Sequence, residues 1–164
     1  MKQMNLKKIA VAASAGMLLT MTACTNNSND NSAELKEFRA KVDTFCTSIA
    51  TVDSNINAID VESTGYEQTM LSELDSLDGY FKEFAELDFP SDYDYLEGLA
   101  DEASSYMDTA VTNYHDAFEN DYSDADFTAK YNYAYENYSR AYKRIQIIVT
   151  FFNGEISDGV TVTN

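Results

Sequence analysis

Metal binding and nucleophilic catalysis both begin from soft or nucleophilic side chains, and this sequence has few. It has one histidine, His115, and two cysteines, Cys24 and Cys46. A carboxylate-bridged di-iron bundle needs two Glu-x-x-His motifs, which set a glutamate and a histidine one helical turn apart. The residue three before His115 is Thr112, which excludes that class. Cys46 and His115 alone are too few soft ligands for zinc. His115 follows an apolar helix position by one residue, the place of a boundary side chain. The acids Asp92-x-Asp94 and Asp121-x-x-Asp124-x-Asp126 put hard oxygens close together, but without the spacing or the twelfth-position glutamate of an EF-hand. Weak divalent binding is the most such loops support, and no dedicated metal site is expected. There is no Gly-x-Ser-x-Gly, no phosphate loop and no Cys/His dyad. Paired carboxylates are numerous, but on solvated helix faces they carry no information about catalysis. The expectation is a non-enzyme, with no catalytic residues and no cofactor.

A set of tyrosines beside carboxylates is the remaining candidate for recognition: Tyr66, Tyr114, Tyr122, Tyr131 and Tyr135, with Asp121, Asp124 and Asp126. A phenol offers an apolar face and a polar tip. Next to carboxylates, such a group could form a shallow site for a sugar, a basic peptide or a cation. The alternative is an aromatic core whose hydroxyls reach water.

Positioning these residues falls to helices. From Ala33 onward apolar residues recur in alternating steps of three and four, the signature of one helical face. Leu35, Phe38, Val42, Phe45, Ile49, Val52, Ile56 and Ile59 mark a first helix over about Ala33–Asp60. Met70, Leu74, Leu77, Phe81 and Phe84 mark a second over about Gly65–Leu87. Leu96, Ala100, Ala103, Met107, Ala110, Tyr114 and Ala117 mark a third over about Asp92–Glu119. Tyr131, Tyr135, Tyr138, Tyr142, Ile145, Val149 and Phe152 mark a fourth over about Asp124–Phe152. Thr64-x-x-Glu67 is a capping box, and Ser91-x-x-Asp94 and Ser123-x-x-Asp126 are acidic analogues of it. Pro90 closes the second helix, and Gly154 stands where a C-terminal cap belongs. The connections are short and force antiparallel neighbours. The predicted fold is all-α: an up-down-up-down four-helix bundle over residues 33–153, followed by a tail over 154–164.

The first residues read differently. Lys2, Lys7 and Lys8 make a positive start, and Ile9 to Met21 is an apolar run. At about 1.5 Å per residue that run spans about 20 Å, too short for a bilayer core of about 30 Å. It reads as a signal peptide over residues 1–23. Met21-Thr22-Ala23-Cys24 resembles the lipobox of bacterial prolipoproteins, with Met in place of the commoner Leu. The wider pattern of lipobox, polar tether and small acidic helical domain resembles small helical lipoproteins of Gram-positive bacteria. The lipobox implies cleavage before Cys24 and a thioether-linked diacylglycerol on it, whose two acyl chains would anchor the chain stably. The expected location is the extracytoplasmic face of the cell membrane. Residues 25–32 carry no apolar side chain and form a tether with Cys24.

Cleavage leaves 141 of the 164 residues, enough for one domain, expected to be a monomer. Eight bases then face 28 acids, a formal charge of −20. Such a surface disfavours nucleic acid and favours cations and basic partners. With Cys24 lipidated, Cys46 has no partner for an internal disulfide. It is then a structural thiol or a link between chains.

Tethering one end gives the bundle a direction. Lys36, Arg39, Lys41, Lys82, Lys143 and Arg144 fall in the half nearest the anchor, Arg140 is central and Lys130 is distal. The reading is of a rod basic toward the bilayer and acidic outward, unless the bases only pair with nearby acids, as Glu136 and Arg140 can. The tyrosine and aspartate set belongs to the outward end. The expected function is a membrane-anchored, non-enzymatic binding or scaffolding module, its partner an envelope protein or glycan. The alternative is a small-ligand or cation receptor using the distal tyrosines and carboxylates.

Overall fold

The computed structural model describes residues 33–152. The expected signal peptide, lipidated Cys24, tether and tail, with the cap expected at Gly154, lie outside the described residues. The predicted fold is present: four helices, α1 (Ala33–Ala58), α2 (Tyr66–Ala85), α3 (Glu97–Glu119) and α4 (Asp124–Phe152), packed as an all-α bundle. Each apolar stripe faces inward. In α1, Leu35, Phe38, Val42, Phe45, Ile49 and Val52 are buried, and Ile56 packs on the core half-buried.

The helix ends show where local chemistry prevails over periodicity. α1 stops at Ala58, short of Asp60, because Asp60 turns the chain itself. Its carboxylate accepts from the Glu62 N–H at 2.9 Å and its carbonyl accepts from the Ser63 N–H at 3.0 Å. The Thr64–Glu67 capping box does not form. The residue before α2 is Gly65, at φ 83°, and its carbonyl is taken by the Thr69 N–H at 3.1 Å and the Thr69 hydroxyl at 3.3 Å. Glycine suits this left-handed corner because it has no Cβ.

The segment expected to open the third helix is instead a 3₁₀ turn over Ser91–Leu96, and its Ser91 side chain caps nothing. Phe89 and Leu96 are both buried at its two ends, so the connection must wind tightly between them. The third box is made: the Ser123 hydroxyl donates to Asp126 Oδ2 at 2.6 Å and accepts from the Asp126 N–H at 3.2 Å.

Side-chain size sets the spacing of the helices. α3 and α4 approach most closely, across Ala100, Ala103, Ala110, Ala117, Ala134 and Ala141, all buried. α1 presents Leu, Phe and Ile and stands farther from its neighbours. It meets α4 through long side chains. Phe38 packs on Phe152 at 5.1 Å between ring centroids, and Arg39 donates to the Phe152 carbonyl at 3.4 Å. These contacts put the start of α1 and the end of α4 at one end. Phe89, 4.6 Å from Phe38, brings the α2–α3 connection there too.

That connection changes the charge reading. Glu86, Asp88, Asp92, Asp94 and Glu97 sit at the same end as Lys36, Arg39 and Lys143, so this end is not basic. Among the described residues, bases pair with acids: Lys41 with Glu37 at 3.2 Å, Lys82 with Asp78 and Asp108 at 2.7 Å each, Arg144 with Glu102 at 2.6 Å, and Lys130 with Asp116. Arg140 lies over the Tyr106 ring, 5.8 Å from its centroid, rather than on Glu136. Among the described residues no helix is long and apolar enough to cross a membrane.

Candidate functional site

The tyrosines singled out above divide into two kinds. Tyr114 and Tyr131 are core residues, their rings edge to face at 5.2 Å and their hydroxyls hydrogen-bonded to each other. Phe118 and Phe127 complete this aromatic end, 5.2 Å from each other. The other phenols lie nearer solvent. Tyr122 donates to Asp116 Oδ1 at 2.9 Å while Lys130 sits 4.8 Å over its ring. Tyr66 donates to Glu67 Oε1 at 3.0 Å, and burial with this carboxylate pushes its phenol up to about 12. Tyr135 is half-buried on α4. Asp121, Asp124 and Asp126 are exposed, and Asp126 is engaged in the α4 cap. Tyr122 thus works with Asp116, and Tyr66 with Glu67. Neither uses the three loop aspartates.

A more buried acid–phenol group lies between α1 and α4. Asp53 accepts from the Tyr138 hydroxyl at 2.7 Å, and from the Tyr142 hydroxyl at 2.9 Å on one oxygen and 3.0 Å on the other. The two rings stack at 4.7 Å. Burial raises the Asp53 carboxyl above its ordinary value and outweighs the two hydrogen bonds, which pull it down. Burial likewise drives both phenols far above theirs. Both phenols are engaged by Asp53, and the cluster ties α1 to α4. The sequence signal was the i,i+4 pair Tyr138 and Tyr142, read there only as stripe positions.

The chemically reactive side chains are also committed. His115 bridges helices, with Nδ1 2.9 Å from Glu119 Oε1 and Nε2 2.8 Å from Asp75 Oδ1. The Glu119 bond and the Asp75 carboxylate raise its pKa above the ordinary histidine value, against a smaller desolvation effect. Both nitrogens face acceptors, the arrangement of an imidazolium. Cys46 is buried, and burial with the nearby Asp43 pushes its thiol up to about 12, which makes it a poor nucleophile. Among the described residues no group of three or more histidines, cysteines or acids could hold a metal ion.

An open concavity of about 460 Å³ lies between the first half of α1 and the last turns of α2. Phe45 and Phe84 form its floor, their rings stacked at 4.3 Å and 26°. Tyr80 on α2 and Leu87 just past its end wall it on one side. On α1 the wall is Ala40, Thr44 and Ser48, three small residues one turn apart, and their size leaves the space open. Glu37, Lys41 and Glu83 stand at the rim. Its volume lies in the range of small-molecule sites, about 300–1,000 Å³. An apolar floor under a charged rim can hold and orient a ligand. The step-four run of small residues was its only mark in the sequence, and that run gives no sign of how far away α2 stands.

Comparison of the chain with protein-family models, curated proteins and solved structures returned no match.

Proposed function

We propose that this protein is a membrane-anchored extracytoplasmic lipoprotein that acts as a non-enzymatic binding module at the cell envelope, with the α1–α2 groove as its binding surface. The observation that carries the reading is the groove: about 460 Å³ of apolar-floored space beside a rim of charges. The anchor rests on the lipobox residues Met21–Cys24 and the polar tether after them. The groove engages the first half of α1, the half nearest Cys24, so a captured ligand would be held close to the membrane.

The proposal moves the recognition surface away from the distal tyrosines. Tyr114 and Tyr131 are filled core, and Tyr122 and Tyr66 already have carboxylate partners. A receptor role for Tyr135 and the exposed Asp121, Asp124 and Asp126 would have to use the loop surface alone.

Two measurements test the two halves of the reading. Cys24→Ala should release the protein from the membrane fraction or leave it unprocessed, whereas a mature, membrane-bound Cys24→Ala protein contradicts the anchor. A photo-crosslinking residue at Ser48, activated on intact cells, should give one recurrent adduct that the same residue at Asp101, exposed on α3, does not. Identical patterns from both sites would count against the groove as the binding surface.

A further inference from the structure

We infer that the α1–α2 groove takes a hydrophobic organic cation, an apolar aliphatic or aromatic body bearing a protonated or quaternary ammonium group. This rests on the groove being the binding surface, as proposed above, and adds the class of ligand.

Three observations converge on that class. The groove has an aromatic lining: Phe45 and Phe84, stacked on each other and buried below, and the half-buried Tyr80 at the side. Such a lining favours an apolar body, and the negative quadrupole of the Tyr80 ring attracts a cation within about 6 Å of it. The rim is the second. Lys41 is the one cation among the lining residues, and its ammonium is held by Glu37 at 3.2 Å. Glu83 on the opposite wall has no cationic partner among the described residues. A ligand ammonium seated over the aromatic floor would therefore face one uncompensated carboxylate. The third is the field of the whole chain. A formal charge of −17 draws cations toward any opening and repels anions from it.

The volume sets the size. About 460 Å³ holds a small molecule and is too little for a docked helix. Anionic ligands would meet two rim carboxylates and gain only a lysine that is already paired. Neutral apolar molecules would bury the same surface but leave Glu83 without its counterion.

Calorimetric titration of the full chain with three probes of one shape separates these cases: phenylpropyl-trimethylammonium, its uncharged tert-butyl isostere and 4-phenylbutyrate. The cation should bind about tenfold more tightly than the isostere, and the carboxylate more weakly than either. Glu83→Gln should cut the cation's affinity about threefold or more and leave the isostere unchanged. Ser48→Trp, which fills the groove, should abolish binding, with circular dichroism and melting temperature confirming that it folds. Equal affinity for cation and isostere would overturn the charge inference and leave a purely apolar binding groove. Tighter binding of the carboxylate, no binding of any probe, or binding unaffected by Ser48→Trp would also overturn it. So would a dimer in sedimentation that Ser48→Trp disrupts, since a second copy would then own the groove. The crosslinking experiment stands apart from these outcomes. A recurrent Ser48 adduct with no cation preference sinks this inference alone.

Discussion

Asp53 is ionisable, half-buried and gripped by two phenols, and its own charge works against the fold. A carboxyl whose folded pKa lies above its unfolded value holds its proton more tightly in the folded state. Its contribution is fully present below the ordinary aspartate value and is lost as pH rises through the raised one. An amide at this position can still accept from Tyr138 and Tyr142 without carrying charge. Asp53→Asn should therefore melt higher than the parent at pH 7, and the gap should close on acidification below the ordinary aspartate range. A lower melting temperature for Asp53→Asn at pH 7 would mean the ionised clasp is stabilising. His115 has the same sign of shift and the same direction of pH dependence, but here the charged form is the one its neighbours favour. Its bridge between α2 and α3 is fully present below the ordinary histidine value and is lost as pH rises through the raised one. His115→Gln should cost stability at pH 6, and the cost should shrink toward pH 9, as read by urea titration at both pH values. A pH-independent difference would show that packing, not charge, is what the histidine contributes.

Among the elements, α4 was the most legible. The Ser123–Asp126 cap and an unbroken stripe placed it over Asp124–Phe152, as observed. The other boundaries depend on facts that periodicity does not carry. Thr64 looked like a cap, but the corner is taken by Gly65, and the only signal was the glycine itself. The 3₁₀ turn after Pro90 exists because Phe89 and Leu96 are both pulled into the core, a tertiary demand. Two glycines make the distinction measurable. A Cβ at Gly65 would meet nothing within 4 Å, so Gly65→Ala pays only for the left-handed backbone, about 1–2 kcal/mol. Gly79 lies inside α2 with the same open space, and Gly79→Ala should stabilise by about 0.5–1 kcal/mol. Chemical denaturation of both variants checks the pair, and equal effects of the two would contradict the account of the α2 entry.

At the scale of the whole molecule, the stripes dictated a four-helix bundle, but they could not tell a filled core from a pocket. Tyr114 and Tyr131 read as possible recognition residues because a stripe position looks the same whether it meets another ring or solvent. The groove was illegible for the complementary reason. It arises from the distance between α1 and α2, set by bulky α1 core residues on one side and by Ala40, Thr44 and Ser48 on the other. The electrostatic polarity expected of the rod fails on the same grounds, since the α2–α3 connection brings its acids to the end where the bases were counted.

The central claim is that the α1–α2 groove is a binding surface. Native mass spectrometry of the protein extracted from its own cell membranes tests it most directly. The account predicts that the parent protein carries a recurrent small-molecule adduct, and that Ser48→Trp, melting at the same temperature, does not. A bare mass for both proteins, or an adduct that survives Ser48→Trp, would contradict it.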